Sequence, residues 1–233
     1  KLGDFMKKIF ELLLRLFSGF FTCALGIVFM LNSNLGAGPW DVFHQGLSNN
    51  TFLTIGQASI IVGFIVIGTT TLFKLKIGVG TILNMIFIGL FTDLVLFTKL
   101  VPISDNILSG LIMIIIGMLL MSLGTYLYIS CELGCGPRDG LMVVLTKITK
   151  KPVSTIRGII EIGALIAGYL LGGHVGIGTF IIALGLGYCM KFIFKKFNLD
   201  VSLLSHRSIK DTYNLTKVFI RNARSKSIEN IET

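Results

Sequence analysis

Long apolar runs, each closed by a short polar or glycine-rich break, set the pattern of this chain. Six of them cover residues of about 8–31, 54–73, 77–97, 107–129, 154–171 and 175–194. A helix rising about 1.5 Å per residue crosses a hydrocarbon layer in roughly 17–25 residues, so each run has the length of a span. The breaks carry turn chemistry: Asn34-Leu35-Gly36-Ala37-Gly38-Pro39, Lys74-Leu75-Lys76, Pro102 with Ser104-Asp105-Asn106, Gly134-Cys135-Gly136-Pro137, and Gly172-Gly173. None of the runs alternates polar and apolar residues with a period of two, which excludes a transmembrane β-barrel. Two further stretches, 42–52 and 140–150, are semi-polar and too short to span. They are read as re-entrant or interfacial half-helices. The pattern predicts an all-α polytopic membrane protein with six transmembrane helices.

Composition agrees. The chain has 233 residues, of which 53% are hydrophobic and only 14% charged, with a mean hydropathy of +0.83. Those values exclude a soluble enzyme and a disordered chain. Four cysteines, Cys23, Cys131, Cys135 and Cys189, are too scattered for a disulfide framework, and Cys131 and Cys135 lack a zinc-ligand spacing or a nearby histidine. The first run contains Glu11 and Arg15 and no small-residue cleavage site, so it reads as a span rather than a cleaved leader.

The net charge of +9 acquires meaning from its placement. On six spans, one side of the membrane would hold Lys1, Lys7, Lys8, Lys74, Lys76, Arg138, Lys147, Lys150, Lys151 and every basic residue from Lys191 onward, whereas the other would hold Lys99 alone. This bias predicts both termini in the cytoplasm of a bacterial cell, with the chain multi-pass in its cytoplasmic (plasma) membrane.

Sliding the sequence by 98 positions superposes its two halves. Gly19, Gly26, Leu35, Gly36, Gly38, Pro39 and Asp41 meet Gly117, Gly124, Leu133, Gly134, Gly136, Pro137 and Asp139. Further along, Gly78, Gly80, Thr81 and Gly89 meet Gly176, Gly178, Thr179 and Gly187. Each copy holds three spans, an odd number, so the second enters the membrane in the opposite sense. The expected organisation is a cytoplasmic N-terminus at 1–7, membrane repeat 1 at 8–97, inverted membrane repeat 2 at 107–196, and a basic cytoplasmic tail at 197–233.

The block L-G-x-G-P-x-D occurs in both copies. Gly36, Gly38, Gly134 and Gly136 permit close backbone approach, and Pro39 and Pro137 suit the first turn of a helix. Asp41 and Asp139 then fall where a carboxylate complements the positive helix end. Two readings stand: caps of two half-helices, or contacts to a cation or proton at a midplane site. Glu161 lies eight residues into its span, about 12 Å deep, with Arg157 one turn before it at ion-pair spacing. Asp93 reads as a snorkelling residue, and Asn84 and Gln57 as interhelical hydrogen-bonders. His44 and His174 are expected on the outer surface, with Trp40 at the outer interface.

The run from Leu35 to Ser48, followed by Ile55-Gly56-Gln57-Ala58-Ser59-Ile60 and by Gly134-Cys135-Gly136-Pro137-Arg138-Asp139-Gly140, resembles the bacterial YczE group within the YczE/YyaS/YitT membrane proteins. The resemblance covers about residues 10–196 and implies a bacterial cytoplasmic-membrane protein. It carries no catalytic or binding residues with it.

The functional expectation is a permease for a small solute or ion, with Asp41, Asp139, Glu161 and Arg157 as candidate contacts and a homodimer as a plausible assembly. The competing expectation is a non-transporting scaffold or accessory subunit whose tail, read as an amphipathic helix or a disordered segment, recruits a cytosolic partner. No phosphate loop, metal-ligand cluster or nucleophile constellation points to an enzyme, a cofactor or a metal. The anionic partner of the basic tail is expected to be the lipid surface rather than nucleic acid.

Overall fold

A computed structural model describes residues 2–73 and 77–199; the tail assigned above from 200 onward lies outside the described residues. Among the described residues eight helices follow one another: α1 (Leu2–Asn32), α2 (Pro39–Asn50), α3 (Ile55–Leu72), α4 (Val79–Phe97), α5 (Ile107–Ile129), α6 (Pro137–Thr149), α7 (Val153–Leu170) and α8 (Ile177–Lys196). There is no strand among the described residues. Six of the helices, all but α2 and α6, are long and apolar enough to cross a membrane.

The local causes are legible. Pro39 and Pro137 open α2 and α6 at the position where a missing N–H costs no intrahelical bond. Asn106 caps α5 through Ser109 N at 2.9 Å. Thr54 and Gln57 form a reciprocal capping box at the start of α3, so Gln57 serves its own helix end. Before each short helix the chain turns through positive φ at Asn34 and Gly36, and again at Glu132 and Gly134.

The centre of the bundle is the crossing of α1 and α5. Gly19 lies against Gly124, and Gly26 against Gly117, so the two helices run antiparallel. A Cβ on Gly19 would stand 2.9 Å from the Gly124 carbonyl oxygen, and one on Gly26 would stand 2.7 Å from that of Gly117. Only glycine admits this backbone approach, which in a membrane replaces the hydrophobic effect as the source of helix association. Around the crossing, Leu16, Phe20 and Tyr128 fill one buried cluster, and Met30, Ile114, Met118 and Ile182 another. Arg15 donates to the Tyr126 hydroxyl at 2.9 Å across the same pair of helices.

The remaining contacts come in pairs 98 residues apart. Gly178 N donates to Leu35 O at 2.7 Å, and Gly80 N donates to Leu133 O at 2.8 Å. Helix α4 packs on α1 as α8 packs on α5, and α2 on α7 as α6 on α3. The start of α8 therefore supports the first break, and the start of α4 supports the second. One pairing fails: α3 packs along α4, whereas α7 and α8 barely touch.

Candidate functional site

The space left between α7 and α8 continues into a cavity of about 1340 Å³ in the middle of the bundle. Its walls are largely apolar, with Met30, Val62, Met85, Met121, Ile182 and Leu186 among them, and its polar groups converge from the two helix breaks. The four charged residues singled out from the sequence, Asp41, Asp139, Arg157 and Glu161, all line it.

Each aspartate stands at the head of its own short helix. A Cβ on Gly38 would lie 3.1 Å from Asp41 Oδ2, and one on Gly136 would lie 3.5 Å from Asp139 Oδ2. The carboxylates thus turn back on the N-terminal turns, where the peptide dipoles place positive charge. Neither Gly38 nor Gly136 has a side chain to cap its helix, and the acidic residue in each first turn is Asp41 or Asp139. On α7, Arg157 Nε donates to Glu161 Oε1 at 3.0 Å, and both side chains face the mouth of the cavity.

Four further residues complete the cluster. The Arg138 guanidinium lies over the Trp40 ring, 4.9 Å from its centroid, and carries its charge among those of Asp41, Asp139 and Glu161. His44 Nδ1 stands 4.0 Å from Asp41 Oδ1. Asn84, 7% exposed, turns Oδ1 toward Gly136, and its Nδ2 is buried with no hydrogen-bond partner.

His44 corrects the sequence expectation: it is 2% exposed rather than on the surface, and Trp40 on the same helix lines the central cavity. The reason is that α2 folds back beneath the bundle rim against α7, with Gly46 under the Gly168 carbonyl. Loop position in the sequence therefore does not measure burial. Arg138, by charge count one more basic loop residue, lies in the same cluster. The available signal was its position next to Pro137 in a block that recurs, opposite Trp40 in the other copy.

Other polar residues take structural places. Asp93 accepts hydrogen bonds from the Thr54 hydroxyl and, at 2.8 Å, from Gly56 N, so it caps α3 from across the α3–α4 contact. This replaces its reading as a snorkelling side chain. The backbone N–H of exposed His174 donates to Gln45 Oε1 at 2.7 Å. Among the described residues no group of three His, Cys, Asp or Glu side chains could hold a metal ion.

The profile of DUF6198, a family of unknown function, matches residues 10–195. An uncharacterised protein of Haemophilus influenzae is 39% identical over 160 residues, which cover 69% of this chain and 72% of that one. The uncharacterised membrane protein YczE of Bacillus subtilis is 36% identical over 187 residues, 78% of this chain and 86% of its own. The uncharacterised protein YyaS of the same organism is 29% identical over 165 residues, 70% and 82% of the respective chains. No solved structure matches.

Proposed function

The chain belongs to the YczE-type family of membrane proteins, and from that premise we propose that it is a permease for a small solute or ion. It is built from two inverted three-span repeats in the bacterial plasma membrane, with both termini cytoplasmic. The observation that carries this reading is the central cavity of about 1340 Å³, into which two broken-helix starts and the Arg138 cation project. Irregular backbone at membrane depth is tolerated where it lines a polar hollow, and broken helices at matching places in two halves mark such sites in transporters. The antiparallel α1–α5 crossing and the paired contacts 98 residues apart support the inverted duplication.

In this reading the cargo rests against Arg138, Asn84 and the starts of α2 and α6. Asp41 and Asp139 hold those helix starts in place, and the Arg157–Glu161 pair stands at the entrance. The groups named here all come from one copy of the chain, and a homodimer, the assembly expected from the sequence, would enclose the path at the α7–α8 gap.

The test is uptake by the purified protein in liposomes, using a panel of labelled small organic acids, amino acids, amines and inorganic ions. At least one solute is expected to enter faster than into empty liposomes, and Glu161→Gln to abolish that entry without lowering expression. Uptake unchanged by both Glu161→Gln and Arg138→Gln would remove the cavity from the pathway. For the orientation, a cysteine at Ala37 is expected to react with an impermeant thiol reagent from outside only, and Cys135 alone from inside only. Labelling of both from one face would end the inverted arrangement.

A further inference from the structure

The two outer hairpins have corresponding residues and different shapes. In α3–α4 the ends formed by the start of α3 and the end of α4 are closed: Gly56 lies under the Gly89 carbonyl, Met85 fills the notch at Gly63, and Asp93 ties Thr54 and Gly56. In α7–α8, joined at 171–176, the free ends are splayed around the mouth of the cavity. Gly187, the counterpart of Gly89, has nothing within 4 Å of where its Cβ would be, and neither does Gly158.

The residues needed to close α7–α8 are present in altered form. Glu161 and Ala183 stand where Gly63 and Met85 pair, so a small-large match is replaced by a large-small one. Ser154 replaces Gly56 and prevents the closest backbone approach, but Gly158 in place of Ile60 opens room beside Gly187. The latch has no equivalent. Lys191 occupies the place of Asp93, and Pro152 that of Thr54. The first turn of α7 has no side-chain cap, and a lysine set against a positive helix end repels it.

We infer that α3–α4 and α7–α8 are the two gates of the cavity, the first latched shut by Asp93 and the second resting open because Lys191 cannot latch it. Rearranging one hairpin into the shape of the other exchanges which side of the membrane reaches Arg138. The inference rests on the permease reading for its purpose, but gate closure can be measured without any cargo.

The experiment uses disulfide trapping in a background lacking the four native cysteines. Gly63→Cys with Met85→Cys brings together positions whose Cβ atoms stand 3.4 Å apart, near disulfide distance, and should cross-link readily. Glu161→Cys with Ala183→Cys should cross-link at least tenfold more slowly. Adding Lys191→Asp, which supplies a carboxylate for Ser154 and the uncapped start of α7, should raise that second rate at least tenfold. Asp93→Ala should slow the first.

A variant of the native chain guards against misfolding of the cysteine-free one. In otherwise wild-type protein, Lys191→Asp should slow N-ethylmaleimide modification of Cys135, which lines the cavity, as read by peptide mapping. Equal cross-linking of both pairs at the outset, or no effect of Lys191→Asp on either the second pair or Cys135, overturns the assignment. Gates that respond as described in a protein moving no solute would uphold the inference and reject the permease reading.

Discussion

The first break in the chain, before α2, and the second, before α6, share a backbone and differ in chemistry. Both turn at a positive-φ glycine, Gly36 and Gly134, begin a short helix at proline, and place an aspartate in its first turn. Beyond that they diverge: Trp40 faces Arg138, and His44 on α2 corresponds to Met142 on α6. What recurs builds the broken helix; what does not recur furnishes the cavity. A cation held over an aromatic face needs two unlike partners, so a duplicated chain makes one only after its copies differ.

That division predicts how substitutions rank. The largest effects belong to the shared residues and should be nearly equal in the two copies. A Cβ on Gly36 would lie 2.5 Å from Thr179 Oγ1, and one on Gly134 would lie 2.5 Å from Thr81 Oγ1. Gly36→Ala and Gly134→Ala should therefore each cost about 3 kcal/mol, from strained φ and overpacking together. Thermal unfolding in detergent measures this, and a loss confined to one of them would break the equivalence of the two copies.

The residues not shared should act unequally. Arg138→Leu is expected to lower uptake by about a hundredfold, equivalent to roughly 2.7 kcal/mol, in protein that still folds. Trp40→Leu, which removes only the ring beneath the guanidinium, should lower it by about tenfold, or roughly 1.4 kcal/mol. If the two fall equally, the stacked pair acts as one unit and the cation has no separate role. His44→Met, which writes the second copy's residue into the first, should slow uptake by only a few fold. Smallest of all should be removal of residues 200–233, expected to leave uptake within about twofold, because Asp41, Asn84, Arg138 and Asp139 all stand on helices that precede it. Loss of function with intact flux on that truncation would instead favour a recruiting role for the tail.

The spans and both half-helices were legible because length, hydropathy and the G-x-G-P block act locally. Asp41, Asp139, Arg157 and Glu161 were legible as charges out of place. His44 was misplaced and Arg138 missed because burial depends on how α2 and α6 fold back against α7 and α3, which is a matter of packing between distant segments. Asp93 illustrates the same limit: its partners, Thr54 and Gly56, lie on the preceding span, and only the α3–α4 contact brings them together. The splay of α7 from α8 shows in the sequence only on comparing the two copies, where Lys191 and Pro152 stand in place of Asp93 and Thr54.

The glycine crossing of α1 and α5 has a mechanical consequence. With backbone against backbone at Gly19–Gly124 and Gly26–Gly117, there is no layer of side chains to compress, slide or re-pack. Such a joint behaves as a fulcrum of fixed length: hairpins can swing about it, but the separation of the two halves is set. On the permease reading the hollow would then tilt open at one rim or the other without being widened, so the bulk of whatever fits inside would be limited by that fixed backbone spacing rather than by the reach of the moving helices.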